Sequence, residues 1–152
     1  MGQELEPQVS DYEARVRASF GRQRFMEMIG ARLVRLAAGE VEIELPHRAD
    51  LTQQHGFVHA GVVTALADTA CGYAAFTLMP AGVGVLSVEY KINLLAPARG
   101  ELLVARGRVL RPGRTLTVCA GEVFARHAGE ESLVATLLGT MMTVRDRPEI
   151  AD

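Results

Sequence analysis

One carboxylate stands alone in the most apolar part of the sequence. Asp68 lies within the stretch 58–78, where most other side chains are apolar or small. Burying an unpaired carboxylate costs several kcal/mol. One explanation is a polar helical stripe of Thr64, Asp68 and Gly72 that faces solvent. The apolar surroundings disfavour open solvent, so Asp68 is predicted to be a general base or nucleophile in a partly dry cleft.

A second chemical feature directly precedes this stretch. The segment 53–61 reads Gln-Gln-His-Gly-Phe-Val-His-Ala-Gly, and no Ser, Thr, Asp or Asn stands immediately before the predicted helix. The first backbone N–H groups of a helix lack intrahelical partners and carry the positive end of its dipole. Ala60 and Gly61 are small enough to admit a carbonyl oxygen, so their amides are predicted to form an oxyanion hole. Capping by water or by a distant side chain is the alternative.

The spacing of these residues separates them within one chain. Asp68 lies seven positions after Gly61, on the same helix face but about 10 Å further along the axis. His59 lies nine positions before Asp68, on about the opposite face. If Asp68 and the Ala60 and Gly61 amides act on one substrate, two chains must supply them. Two antiparallel helices in a dimer would bring them together.

The elements that position these residues follow from periodicity. The segment from about 10 to 29 is predicted to be an amphipathic helix that starts with a capping box of Ser10 and Glu13. It lies against the domain or forms a wall beside a ligand channel. The segment 40–45 alternates as a half-buried strand does, with 32–36 as its partner.

The stretch 58–78 is predicted to be a helix that is buried all round, since apolar residues occupy every face. Its many Ala and Gly residues let neighbouring strands approach closely. The remaining strands are predicted to form an antiparallel meander over 83–95, 102–110, 115–126 and 133–144. A curved sheet that wraps one helix still exposes an edge, which favours pairing with a second copy.

Length, charge and composition exclude several classes of protein. A chain of 152 residues fits a single domain, here 1–152, with a core of about 30–145 after the N-terminal helix. Lys and Arg number 16 against 18 for Asp and Glu, so the sequence lacks the excess of positive charge that binding to nucleic acid or an anionic membrane requires. The Cys and His residues show no metal-ligand spacing. The acidic N-terminus and the absence of a membrane span predict a cytoplasmic protein.

Three motifs together resemble the PaaI-like hotdog-fold acyl-CoA thioesterases. They are Gly-Phe-Val-His-Ala-Gly at 56–61, Asp68 nine residues after His59, and Ser-Val-Glu-Tyr-Lys-Ile-Asn-Leu-Leu-Ala-Pro-Ala at 87–98. The resemblance covers about residues 28 to 145. It implies an α+β hotdog fold, with a long central helix wrapped by a curved antiparallel sheet of about six strands. It also implies a homodimer or dimer of dimers with active sites between subunits.

The resemblance implies roles for individual residues. Asp68 matches the family's catalytic carboxylate, acting as nucleophile or as base on a water. Ala60 matches the residue whose amide polarises the thioester carbonyl, with Gly61 beside it. His59 matches a residue that orients the loop.

Two further positions come from the same resemblance. Ser87 matches a hydroxyl that positions water in some members of the family. Gln53 stands where many members have Asn, six residues before His59. Ala60 replaces the first Gly of the family's His-Gly-Gly, a change that keeps the backbone amide.

The predicted function is hydrolysis of acyl-CoA to free acid and CoA, with coenzyme A as part of the substrate and no separate cofactor. The low aromatic content favours medium or long aliphatic acyl groups. Arg111 and Arg114 flank a Pro-Gly turn and are candidates to bind CoA phosphates, or are solvated hairpin charges. Two alternatives stay open: a hotdog hydratase or dehydratase, which needs an Asp and a His close together, and a non-catalytic acyl-CoA-binding module.

Overall fold

The structure, a computed structural model, describes residues 5–152. Residues 1–4, part of the acidic N-terminus on which the prediction of a cytoplasmic protein rests, lie outside the described residues. The helices are α1 (Tyr12–Arg22), α2 (Arg24–Ile29) and α3 (Ala60–Phe76), with a 3₁₀ turn at Ala49–Leu51. The strands are β1 (Arg32–Ala37), β2 (Glu40–Pro46), β3 (Gly84–Leu94), β4 (Leu102–Arg111), β5 (Leu116–His127) and β6 (Glu130–Val144).

The six strands form one antiparallel sheet in the order β1-β2-β4-β5-β6-β3. Helix α3 packs against strands β2 to β6, so the sheet wraps it. The predicted arrangement of a long central helix inside a curved sheet is confirmed. Within residues 5–152, no helix has the length and apolar character needed to span a bilayer.

Two paired glycines allow the sheet to approach the central helix closely. Gly107 on β4 lies opposite Gly121 on β5. A Cβ on Gly107 would overlap the backbone of Ala70, and a Cβ on Gly121 would lie 3.0 Å from Cys71 Sγ. The small residues of the strands and of α3 therefore permit the close packing that the sequence predicts.

Replacing Gly107 with Ala is expected to lower the Tm by several degrees, because α3 would have to move away from β4. Overpacking of this kind costs about 1–3 kcal/mol. Thermal unfolding followed by circular dichroism measures the effect. Gly21→Ala is the matched control, since its added Cβ on exposed α1 meets nothing within 4 Å and Ala favours a helix. A Gly107→Ala Tm equal to that of the wild type would contradict this packing.

The predicted N-terminal helix is wrong in two details. The chain leaves helical geometry at Gln23 (φ −80°, ψ 94°), so the segment forms α1 and α2 instead of one helix. Each short helix buries its own apolar side chains, Val16 on α1 and Met26 and Ile29 on α2. Helix α1 begins at Tyr12 with Asp11 at its N-cap and no side-chain hydrogen bond there, so the capping box of Ser10 and Glu13 does not form.

Helix α3 is covered by its own chain on most faces but not on all. Gly61 is exposed, and Thr64, Ala65, Asp68 and Gly72 are half-buried at three- and four-residue spacing along one side. The prediction of a helix buried all round is therefore wrong for this stripe. The sheet curves around the opposite faces only.

Strand β3 lies at the edge of the sheet beside β6, so the predicted four-strand meander is wrong. Only β4, β5 and β6 form a meander, because the connection over 95–101 is longer than a tight hairpin turn. Within the described chain the outer edge of β3 is unpaired, and its side chains Val88 and Leu94 are 52% and 53% exposed. A long edge strand with exposed apolar side chains favours pairing with another strand.

Candidate active site

Asp68 lies half-buried near the middle of α3, on the partly exposed stripe. Ser87 on β3 donates a hydrogen bond from Oγ to Asp68 Oδ1 at 2.6 Å. Burial raises the pKa of Asp68, and the hydrogen bond from Ser87 opposes that rise. A carboxylate that loses water but keeps one strong hydrogen bond suits a base or nucleophile. The structure therefore brings together Asp68 and Ser87, which the sequence places 19 residues apart.

A cavity of about 200 Å³, called here the polar cavity, opens beside Asp68. Ser19 of α1 and Gln23 form one side of it, and Tyr73 of α3 lies further along the helix. Ser19 Oγ and Tyr73 Oη share a hydrogen bond of 3.2 Å. Helix α1 is therefore a wall beside Asp68, and its hydroxyl and amide groups suit a polar ligand segment or water.

The N-terminus of α3 is capped, contrary to the prediction from sequence. His59 is the N-cap residue, and its Nδ1 accepts a hydrogen bond from the Gly61 N–H at 2.8 Å. The predicted oxyanion donor Gly61 is therefore already engaged. Histidine is not among the usual capping residues, so this contact could not be predicted from the sequence.

The amide of Ala60 remains available. As the first residue of α3 it has no intrahelical acceptor, and within residues 5–152 its N–H donates to no protein atom. The backbone carbonyl of His59 accepts from Val62 and Val63, which holds the first turn in place. The predicted pair of oxyanion amides is thus reduced to one.

Gln53 lines the same cavity as Ala60. Its Oε1 accepts a hydrogen bond from the His55 N–H, and its own N–H donates to Phe57 O at 2.9 Å. Because Oε1 is engaged by the loop, Nε2 remains as the donor. Gln53 and Ala60 both line a cavity of about 460 Å³, called here the apolar cavity. Its apolar walls include Phe57, Val58, Val63, Leu94, Leu95 and Val134.

The two groups of residues do not meet within one chain. The polar cavity contains Asp68 and the apolar cavity contains Ala60, and the two cavities share no lining residue. Along α3, the eight positions between Ala60 and Asp68 correspond to about 12 Å. Within one described chain, therefore, neither cavity contains both the Asp68 carboxylate and the Ala60 amide.

The two candidate phosphate-binding residues are placed differently. Arg114 lines a third cavity near the C-terminal end of α3, whereas Arg111 lines none of the cavities described here. Within residues 5–152, no group of three or more His, Cys, Asp or Glu side chains is arranged to hold a metal ion.

Comparisons with known proteins identify similar chains. A family model described as the thioesterase superfamily matches residues 55–132. A protein of Saccharolobus solfataricus named as an esterase is 30% identical over 124 residues, which cover 82% of this chain and 80% of that protein. The crystal structure of a thioesterase family protein from Silicibacter pomeroyi matches with a TM-score of 0.86 and 49% identity, over 88% of this chain and 98% of that one.

A more distant structure shares the fold. The PaaI protein of Escherichia coli, from the phenylacetic acid degradation operon, matches with a TM-score of 0.79 at 20% identity. The match covers 88% of this chain and 93% of that protein. At this identity the likeness shows a common architecture.

Proposed function

Because the chain belongs to the thioesterase superfamily and is a thioester hydrolase of the PaaI-like hotdog type, we propose that it hydrolyses acyl-CoA to a free acid and coenzyme A. The resemblance seen in the sequence is thereby confirmed at the level of family and fold. The observation that carries the proposal is the half-buried Asp68 with its Ser87 hydrogen bond, together with an unpartnered Ala60 amide at the start of the same helix.

Two copies of the chain complete the proposed site. If two α3 helices lie antiparallel with Ala60 of one level with Asp68 of the other, the twofold axis passes near Thr64. Thr64 lies on the half-buried stripe, whose small residues leave room for a second helix. In this isologous dimer the polar cavity of one subunit faces the apolar cavity of the other. In the same dimer, the exposed edge of β3, which carries Val88, would pair with β3 of the second subunit.

The proposed reaction uses donors from one subunit and a carboxylate from the other. The thioester carbonyl oxygen accepts hydrogen bonds from the Ala60 N–H and Gln53 Nε2, which stabilise the negative charge that develops on it. Asp68 of the partner subunit attacks the carbonyl carbon, or it takes a proton from a water that attacks instead. The C–S bond then breaks and CoA leaves as a thiolate that water protonates. In the first route, a second water hydrolyses the acyl-aspartyl anhydride.

The apolar cavity supports a medium or long aliphatic acyl group. Its volume of about 460 Å³ corresponds to about fifteen water-sized groups. Side chains such as Leu94, Leu95 and Val134 offer apolar contact along it. In the proposed dimer the acyl chain lies in this cavity, and the reacting carbonyl lies between it and the partner's polar cavity.

Release of free thiol from a panel of acyl-CoAs of increasing chain length tests the proposal. We expect release from several members, with the highest kcat/KM for medium or long saturated chains. Absence of thiol release from every member would contradict hydrolysis and indicate a binding module. Loss of enoyl-CoA absorbance without thiol release would instead indicate a hydratase.

Replacing Ser87 with Ala is expected to shift the acidic limb of the kcat profile to higher pH. The reacting form of Asp68 is the carboxylate, and the Ser87 hydrogen bond lowers a pKa that burial raises. Removal of the hydroxyl therefore leaves less carboxylate at a given acidic pH. Ser132→Ala is the control, since in residues 5–152 the Ser132 hydroxyl on β6 donates only to Ala125 O. An unchanged pH profile for Ser87→Ala would contradict the contact with the reacting carboxylate.

A further inference from the structure

Three arginines lie around the turn between β4 and β5. Elsewhere on the sheet, Arg106 and Arg126 are paired with glutamates of strands β2 and β6. In the part of the chain that the structure describes, Arg111, Arg114 and Arg145 form no ion pair. A cluster of cations without carboxylate partners attracts anions.

Two of these arginines line one cavity of about 340 Å³, called here the arginine cavity. Gln8, Thr117 and Thr143 contribute further polar groups, and its lining contains no acidic residue. Arg145 Nη2 donates to the Arg114 carbonyl oxygen at 3.0 Å, which ties the end of β6 to the β4–β5 turn. The remaining N–H groups of both guanidinium groups stay available to a ligand.

The acids closest in sequence do not neutralise this cavity. Asp146 and Glu149 follow Arg145, but neither lines the cavity. Glu149 is paired with Arg147 at 3.5 Å. The excess of positive charge at the cavity therefore remains for an external anion.

The position of the arginine cavity relates it to Asp68. Ala75 of α3 lines the cavity and lies seven residues after Asp68. This spacing places both on the same side of the helix, about 10 Å apart along its axis. In the proposed dimer the acyl chain lies in the partner's apolar cavity, whereas the arginine cavity belongs to the same subunit as Asp68. It lies at the C-terminal end of α3, beyond the polar cavity that contains Asp68.

We propose that the arginine cavity binds the phosphate groups of coenzyme A through Arg114 and Arg145, with Arg111 next in sequence to the lining residue Pro112. The inference rests on the proposed function, which makes CoA part of the substrate. Guanidinium groups bind phosphate oxygens through charge-assisted, often bidentate hydrogen bonds. The uncharged pantetheine arm then passes the polar cavity, where Ser19, Gln23 and Tyr73 offer polar contacts.

A comparison of two thioesters with the same acyl group tests this assignment. Acyl-CoA carries the phosphates, whereas the S-acyl-N-acetylcysteamine thioester does not. We expect the double variant Arg114→Gln/Arg145→Gln to raise KM for acyl-CoA about tenfold or more with little change in kcat. Its kcat/KM for the N-acetylcysteamine thioester should equal that of the wild type. Arg17→Gln, an exposed arginine of α1, removes one charge elsewhere and should leave both substrates unaffected.

Binding of 3′,5′-ADP, measured by calorimetry, tests the cavity without turnover. We expect binding to the wild type and about tenfold or greater weakening in the double variant. Equal losses on both thioesters, an unchanged KM for acyl-CoA, or unchanged 3′,5′-ADP affinity would overturn the assignment. If neither thioester is hydrolysed, the proposed function fails, and the 3′,5′-ADP measurement alone then decides whether the arginine cavity binds nucleotide phosphates.

Discussion

Replacing Asp68 with Asn is expected to lower kcat for thiol release by about a hundredfold or more. Asn keeps the shape of the side chain and an Oδ1 that accepts the Ser87 hydrogen bond, but it is neither a base nor a nucleophile. Steady-state thiol release from the best acyl-CoA measures the loss. The effect is large because Asp152, the other carboxylate that lines the polar cavity, is paired with Arg22.

The same variant is expected to keep or raise its Tm at neutral pH. Burial raises the pKa of Asp68, so the ionised carboxylate destabilises the folded state above that pKa. Asn removes this penalty. Asp50→Asn, an exposed aspartate paired with Arg48, is the control and should keep its kcat. Full activity in Asp68→Asn would rule out Asp68 as base or nucleophile, whereas a large loss of Tm would assign it a structural role.

Replacing Ala60 with Pro is expected to lower kcat by about a hundredfold or more while the protein remains folded. Proline removes the Ala60 N–H, and loss of one oxyanion donor costs about 10²–10³ in kcat. Ala60 is the first residue of α3, a position that proline favours. His59 before it is extended (φ −58°, ψ 137°), which is the conformation required before proline.

Ala60→Gly is the matched control for this variant. It keeps the N–H and the helix start, so its kcat should stay within a few-fold of the wild type. Thermal unfolding and far-ultraviolet circular dichroism establish that Ala60→Pro is folded. A folded Ala60→Pro enzyme with wild-type kcat would show that the amide does not bind the thioester carbonyl.

The sequence alone predicts the parts of the molecule that depend on local pattern. The central helix follows from a long run of mostly small and apolar residues, and Asp68 is conspicuous because it is the one charged residue in that run. The distance between Asp68 and Ala60 follows from helix geometry, so it is also predictable that one chain cannot bring both groups to one substrate. Gln53 and Ser87 are predicted as site residues from the family resemblance alone, because no local sequence pattern distinguishes them from their neighbours.

What the sequence does not predict depends on contacts between distant segments. Strand β3 pairs with β6 and not with β4, the next strand in the sequence. The alternation of apolar and polar residues predicts that a segment is a strand, but it does not predict which other strand it pairs with. His59 engages Gly61 through a side-chain orientation outside the usual capping pattern. Tyr73 reaches the Ser19 hydroxyl across 54 residues, and Arg145 joins Arg114 across 31.

Mixing two inactive variants tests the two-chain active site most directly. Asp68→Asn subunits keep the Ala60 amide, and Ala60→Pro subunits keep the Asp68 carboxylate. A mixed dimer therefore contains one complete site and one site that lacks both groups. After the two variants are co-expressed or refolded together in equal amounts, about one quarter of wild-type kcat should return, because half of the dimers are mixed. Activity no greater than the mean of the two variants, in a sample shown to contain mixed dimers, would contradict a site shared between subunits.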